Sequence, residues 1–262
     1  MELLVVFIVA FGAAMLTFFS GFGLGTILMP VFAMFFPIEL AIGLTAIVHL
    51  ANNLFKIVLV RKDINIHKAL LFGIPAALFA FLGAIVLNAI NTNHIIVSYF
   101  LLGKMFEISA MKLIIAFLLM IFAIVELSKK LSNFSFPAKF LPFGGAISGF
   151  FGGLSGHQGA LRTMFLLKSG LGKEAFIATG IAAAVMIDIS RISVYGFSFI
   201  GEHFKSLSDP KPFFMIIIAV VSAFLGSIIG KKLLKKVTLR AVQIVVALLI
   251  FVFAVFLGLG II

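Results

Sequence analysis

Long apolar runs, separated by short polar or Pro/Gly/Asn-containing segments, follow one another along the chain. Most have the roughly 20 predominantly apolar residues that a bilayer-spanning helix needs. They lack the alternation of lipid-facing and lumen-facing residues that marks a membrane β-barrel strand. The pattern predicts eight helical spans: 2–35 and 141–169, each with a break, and 38–60, 69–88, 110–128, 173–199, 212–230 and 240–262.

A ninth apolar stretch, from His94 to Phe106, is too short for a comfortable span. We expect an interfacial segment, a re-entrant segment or a distorted crossing there. The number of crossings, and with it the topology, stays open between seven and nine.

The polar segment 129–140 separates two halves, 1–128 and 141–262, that resemble each other. Matched positions lie 135 residues apart: Ser20 and Ser155, Gly21 and Gly156, Met29 and Met164, Asn53 and Asp188, Lys56 and Arg191. An offset of 134 instead matches Gly25 with Gly159 and Thr45 with Thr179, so the register stays open by one residue. The predicted fold is an all-α polytopic membrane protein of about eight transmembrane helices in two repeated halves, each with a glycine-broken first helix. Such duplication is common in secondary transporters, whose substrate site lies between the repeats.

Composition supports a membrane protein. Hydrophobic residues make up 63% of the chain and charged residues 11%, with a mean hydropathy of +1.30, whereas soluble domains have about 45–50% and about 25%. The net charge of +11 comes mostly from Lys and Arg between the apolar runs. That position is typical of topogenic charge and lipid contact, so we expect membrane lipid rather than nucleic acid as a partner.

Cysteine is absent from the sequence, which excludes disulfides and Cys-based metal sites. We expect no metal and no cofactor. The start of the chain lacks a basic n-region and a small-residue cleavage site, so the first apolar run is expected to remain as a helix.

Glycine clusters interrupt the first run of each half, at Ser20–Pro30 and at Gly152–Arg162. A half-helix beginning near Gly25 or Gly159 would point its free N–H groups and positive dipole end into the protein. Two such ends predict an anion site formed by Gly23, Gly25, Thr26, Gly156, His157, Gln158, Gly159 and Arg162. The alternative is that the glycines only let helices pack closely.

Polar residues also lie inside two later runs. His49, Asn53 and Lys56 are spaced by four and three and share one helical face, as do Asp188 and Arg191 in the second half. Charges at membrane depth cost about 2.5–3.5 kcal/mol and usually face a cavity or a partner. The predicted substrate contacts are therefore His49, Asn52, Asn53, Lys56 and Arg191.

Other roles remain open for these residues. Asp188 and His49 are the candidates for proton coupling, but Asp188 could instead neutralise Arg191 one turn away, and His49 could be a packing residue. The long side chains of Lys56 and Arg191 could snorkel toward the membrane surface.

Gly153-Leu154-Ser155-Gly156 fits the G-x-S-G signature of rhomboid-type intramembrane proteases. That chemistry needs a histidine base beside the serine. His203 lies in a polar loop and His157 is only two residues away, so we do not expect an enzyme. An intramembrane serine hydrolase using Ser155 and an uncoupled channel or scaffold are kept as alternatives.

The stretches Phe19–Pro30 with Ala41–Thr45, Gly144–Leu161 with Ala178–Gly180, and the basic segment Arg61–Asn65 resemble the TauE/SafE family, the sulfite exporter family. The resemblance extends over nearly the whole chain. It implies a duplicated helical transporter of small sulfur-containing or organic anions, such as sulfite, thiosulfate or sulfonates. We expect a multi-pass protein of the cell (inner) membrane with a small anion as substrate; a homo-oligomer stays open.

Overall fold

The computed structural model describes residues 1–20, 24–90, 94–101, 103–132, 134–196, 211–233 and 239–262. The chain is mainly helical, as predicted. The helices are α1 Glu2–Ser20, α2 Leu24–Ala33, α3 Ile38–Val60, α4 Ile66–Ala89, α5 Ala110–Leu127, α6 Lys129–Ser132, α7 Leu141–Ser155, α8 Gly159–Leu166, α9 Lys173–Tyr195, α10 Lys211–Leu233 and α11 Leu239–Gly258. Short 3₁₀ turns cover Arg61–Asp63 and Ala138–Phe140.

The stretch after α4 forms a β-hairpin, which the sequence analysis did not foresee. Strand β1, Ile95–Leu101, pairs antiparallel with β2, Lys104–Ser109. The segment is rich in β-branched and aromatic residues, which favour strands, and Gly103 in the turn has a φ of 79°. Pairing satisfies the backbone groups that face each other across the hairpin, which a helix would otherwise have to do.

Within the described part of the chain, five helices are long and apolar enough to cross a membrane: α3 with the turn that follows it, α4, α5, α9 and α10. At 1.5 Å per residue, the 23 residues of α10 extend about 34 Å, compared with the roughly 30 Å of a hydrocarbon core. Side chains cap several ends: Asn65 accepts from the Lys68 N–H at the start of α4, and Ser109 does the same for Lys112 in α5.

Basic side chains gather at one end of the bundle, which we call the basic face. There Lys231 donates to the carbonyl of Leu59 over 2.6 Å, and Arg240 donates to the carbonyl of Leu127 over 2.7 Å. The elements meeting at this face carry Arg61, Lys62, Lys68, Lys129, Lys130, Lys139, Lys168, Lys173, Lys231, Lys232 and Arg240.

The opposite end, called the hairpin face, holds β1, β2 and the start of α1. Glu2 pairs there with Lys211 at the start of α10, with 2.6 Å between Oε2 and Nζ. Its charges are mixed in sign: Glu2, Glu39, Lys104, Glu107, Lys112 and Lys211.

The two interrupted spans, 2–35 and 141–169, fold back on themselves. Helix α1 begins at the hairpin face and α2 returns to it. This follows because α3, the next helix, begins at the hairpin face and ends beside Lys231. Helices α7 and α8 form the matching pair from the basic face, where the Phe136 N–H donates to the carbonyl of Met164 over 3.0 Å. The two V-shaped pairs therefore enter from opposite faces. As a result Lys231 and Arg61 share a face, whereas eight simple crossings would separate them.

Packing between the halves is reciprocal. Helix α4 lies along α7, and α10 lies along α1. Closely spaced glycines make both contacts tight: a Cβ on Gly153 would lie 2.0 Å from the carbonyl oxygen of Ala80, and one on Gly226 would lie 2.2 Å from that of Phe11. Each half thus holds the first helix of the other. This arrangement agrees with the repeat, while the exact division into 1–128, 129–140 and 141–262 stays a prediction.

Candidate functional site

Helices α3 and α9 pack together and bring their predicted polar faces into contact. At their centre lies Asp188, with no solvent exposure. Its Oδ2 lies 2.6 Å from His49 Nδ1 and accepts from Asn53 Nδ2 over 3.0 Å, and its Oδ1 accepts from Arg191 Nε over 3.0 Å. Three of the predicted substrate contacts thus surround one carboxylate.

The bond between Asn53 and Asp188 also bears on symmetry. These residues are separated by 135 positions, the offset that relates the two halves. Equivalent residues contact each other where a two-fold axis passes between them. The α3–α9 contact is therefore the place where a pseudo-two-fold axis would lie.

Arg191 does not snorkel. Its side chain is 1% exposed, and Nη2 lies 2.8 Å from Asp188 Oδ1. Nη1 lies 2.9 Å from the position that a Cβ on Gly156 would occupy. The guanidinium therefore lies between the buried carboxylate and the break of the second V-shaped pair.

Lys56 is also buried, with 4% exposure. Its Nζ lies 5.5 Å from the ring centroid of Phe18, at the end of α1. With the Asn52 amide nitrogen facing Ser227, the amide oxygen accepts from Lys56 Nζ over 3.3 Å. Lys56 and Arg191, the matched cations of the repeat, thus each lie beside the first helix of their own half.

The second break has the predicted geometry. Helix α7 ends at Gly156, whose φ of 79° is the left-handed conformation that glycine adopts most easily. The Gly156 N–H already donates to the carbonyl of Gly152, so it is not a free anion donor in this conformation. Helix α8 begins at Gly159, and the N–H groups of a first turn have no partner within their helix.

Arg162 and Gln158 lie on this half-helix. Arg162 Nη1 donates to Gln158 Oε1 over 3.4 Å, and both residues are buried. Arg162 is near enough to Lys56 for the two positive charges to repel each other. The Nε2 of Gln158 has no hydrogen-bond partner among the described residues.

The first break falls at residues 21–23, so Gly23 lies outside the described part of the chain. On the far side of it, Gly25 lies against His49: a Cβ there would be 3.6 Å from the His49 ring. Thr26 is buried one residue further along α2. The predicted Gly25 and Thr26 therefore reach the neighbourhood of the polar cluster.

A narrow pocket lies between the two half-helices. His157 lies at its wall, with Nδ1 at 2.7 Å from the carbonyl oxygen of Ser155. So does Glu126, a buried carboxyl near the end of α5 that the sequence analysis missed. The pocket is lined by Thr26, Phe122, Glu126, His157, Gly159, Ala160 and Ile250.

Ser155 lacks the surroundings of a nucleophile. Its Oγ donates to the carbonyl of Phe151 over 3.0 Å, within α7. His157 contacts the backbone carbonyl of Ser155 and not its hydroxyl. Within the described ranges, no group of three His, Asp or Glu side chains could hold a metal ion.

The structure thus brings the predicted residues into three adjoining groups. One surrounds Asp188, a second joins Lys56 with Asn52, Gln158 and Arg162, and the third is the pocket with Thr26, His157 and Gly159. A comparison with curated proteins gave no match. The family model of the sulfite exporter TauE/SafE matches residues 6–257 of the 262, nearly the whole chain. With its helices and buried polar centre, the chain is a multi-pass membrane transporter and belongs to the sulfite exporter TauE/SafE family.

Proposed function

We propose that the protein is a secondary transporter of a small oxyanion, of the sulfite, thiosulfate or sulfonate class, with one central site between its two halves. The observation that carries the proposal is an excess of buried positive charge. Lys56, Arg162 and Arg191 are each at most 5% exposed, and among the described residues Asp188 is the carboxylate in contact with this group. Three cations against one carboxylate leave net positive charge inside the bundle.

Such a charge excess is costly without a ligand. A buried ion needs compensation by an opposite charge or by several hydrogen bonds, because it has lost its water. A bound anion would supply that compensation. The same buried cations that raise the free energy of the site without a ligand can therefore select an anion as the substrate.

Donor chemistry favours an oxyanion. Arg191 is a planar fork that can hold two oxygen atoms, whereas Lys56 acts as a point charge. The N–H groups of the first turn of α8, which have no partner within that helix, and the unpaired Nε2 of Gln158 supply further donors. The sulfite-type substrate class is carried over from the family name.

Asp188 and His49 remain our candidates for proton coupling. Contacts with Arg191 and Asn53 also give Asp188 a positioning role, because they fix the guanidinium beside the second break. Entry of the two V-shaped pairs from opposite faces suits alternating access, in which one half rocks against the other around a shared site.

We further propose that the basic face lies in the cytoplasm and that the protein resides in the cell membrane. Connecting segments rich in Lys and Arg are retained on the cytoplasmic side, and those of the basic face greatly outnumber the basic residues of the hairpin face. The cysteine-free sequence allows a direct test with single cysteines at Lys62 and Lys104. In intact cells a membrane-impermeant maleimide should label Lys104→Cys only, and labelling of Lys62→Cys alone would reverse the orientation.

Binding and flux test the transport proposal. Purified protein should gain thermal stability with sulfite, thiosulfate or methanesulfonate. Proteoliposomes should show saturable counterflow of the same anion, which an open channel does not give. Arg162→Gln should weaken both effects at least tenfold, while the exposed Arg61→Gln should leave them within twofold. Anion binding that is the same in both variants, or the absence of binding by the wild type, would contradict the proposed site.

A further inference from the structure

Glu126 is a buried acid that the proposed anion site does not use. It is 3% exposed although it lies only one residue before the end of α5. Its Oε1 has no hydrogen-bond partner among the described residues. In the ionised carboxylate, Oε1 would have lost water without gaining a donor, which costs more free energy than burying the neutral acid.

Among the described residues, two charged or titratable neighbours of Glu126 are Arg240 and His157. The guanidinium of Arg240, in α11, donates to the backbone carbonyls of Glu126 and Leu127 over 2.8 and 2.7 Å. His157 lines the same pocket from the α7–α8 break. Each of them leaves Oε1 without a donor in this conformation.

The tautomer of a neutral His157 follows from its contacts. The carbonyl oxygen of Ser155 can only accept, so Nδ1 at 2.7 Å carries a hydrogen. In the neutral ring Nε2 is then an acceptor, and it has no partner within the described residues. A protonated Glu126 is a donor that could serve such an acceptor, directly or through water in the pocket.

Glu126 also shares its pocket with the start of a half-helix. Gly159 and Ala160, the first residues of α8, lie in the same wall. The positive end of a helix attracts anions, so an ionised Glu126 competes with a substrate anion there. Protonation removes that competitor.

We infer, on the basis of the proposed anion transport, that Glu126 is a proton-binding carboxyl whose neutralisation admits the anion to the pocket at the start of α8. Proton and anion are then bound together. The proton adds to a carboxylate oxygen of Glu126 from water at the basic face, where α5 ends, and leaves the same oxygen when the anion is released. Anion affinity of the wild type consequently falls as pH rises.

Thiosulfate is the appropriate probe because it stays ionised near neutral pH, so its own titration cannot imitate the coupling. Wild-type protein should bind it at least tenfold more tightly at low pH than at high pH. Glu126→Gln, which imitates the neutral acid, should bind it tightly at both, and an imposed pH gradient should no longer drive uptake into proteoliposomes. Glu174→Gln, the same change at an exposed position on the basic face, should behave like the wild type.

Two further measurements keep the inference falsifiable. Glu126→Asp retains a carboxyl and should retain pH-dependent binding. Infrared difference spectra between low and high pH should show a buried carboxyl band in the wild type that Glu126→Gln lacks, whether or not an anion moves. The inference is overturned by pH-dependent binding in Glu126→Gln, by pH-independent binding in the wild type, or by a carboxyl band that persists in the variant. If the wild type bound the anion equally at all pH values, the proposed transport function would stand and only the role of Glu126 would be overturned. If it bound no anion at any pH, the transport proposal and the role of Glu126 would both be overturned.

Discussion

Replacing Arg191 by glutamine should remove the strongest anion contact of the site. In the wild type Arg191 Nε donates to Asp188 Oδ1 over 3.0 Å, Nη2 lies 2.8 Å from the same oxygen, and Nη1 is directed toward the second break at Gly156. Contact with Asp188 therefore fixes the position of the guanidinium, while Nη1 faces the predicted substrate. Glutamine keeps a polar side chain but provides neither the charge nor the fork.

The magnitude follows from desolvation. Losing one partner of a buried charge pair costs about 2–5 kcal/mol, and about 1.4 kcal/mol corresponds to a tenfold change in Kd. Anion affinity should therefore fall by about 30-fold or more. Arg191→Lys should also lose affinity, because a single ammonium cannot contact both Asp188 and a two-oxygen ligand.

Fold stability must be separated from binding in this experiment. Without Arg191, Asp188 becomes a buried charge that has lost its cation, which typically destabilises a protein by about 3–5 kcal/mol. The double variant Arg191→Gln with Asp188→Asn removes both charges and should melt closer to the wild type. It should still bind the anion poorly.

The assay is isothermal titration of sulfite and thiosulfate into purified wild type, both Arg191 single variants and the double variant. Arg61 is an exposed arginine at the end of α3. Arg61→Gln is therefore the matched control and should leave anion affinity unchanged. Wild-type affinity in a properly folded Arg191→Gln would refute the assigned role. The anion would then have to be held by Lys56, Arg162 and the helix ends alone.

Two further predictions concern α7. Ser155→Ala should leave anion counterflow within twofold of the wild type, because the hydroxyl only donates to the carbonyl of Phe151; covalent labelling of Ser155 by a serine-reactive probe would contradict this. Gly153→Ala should destabilise the protein by about 3 kcal/mol, since its Cβ would lie 2.0 Å from the carbonyl oxygen of Ala80, whereas Gly12→Ala meets nothing within 4 Å and should leave the melting temperature unchanged.

Sequence reasoning succeeded where one local signal determines structure. Apolar runs of about 20 residues can hardly be anything but helices in a membrane, and the bounds of α3 match the predicted span 38–60. The pairing of Asp188 with Arg191 was one of the predicted alternatives, because charged residues inside apolar runs need partners. The contacts of His49 and Asn53 with Asp188 were not predicted. The matched spacing of Lys56 and Arg191 predicted one buried cation from each half, and Arg162 adds a second one from the second half.

Other features depend on contacts that a single sequence does not encode locally. The breaks were predicted, but whether the chain crosses or turns back after them depends on how α1 packs on α10 and α7 on α4. The hairpin at 95–109 was missed because a hydropathy count ignores β-branching. Glu126 was missed because it lies two residues before Ser128, where an acid normally marks the end of a span; only the tertiary structure shows that it is buried.

We propose that the asymmetry of the site allows the duplicated structure to carry a single substrate. Asn53 and Asp188 occupy matched positions and contact each other, yet one is neutral and the other charged. Because of that difference, Arg191 is held by a carboxylate, whereas the matched Lys56 is held by an amide oxygen at 3.3 Å. A perfectly symmetric centre would hold the anion equally from both halves and would favour neither conformation. Arg191 is fixed and Lys56 is less restrained. Movement of one half can therefore change how Lys56 contacts the anion, while Arg191 keeps its orientation.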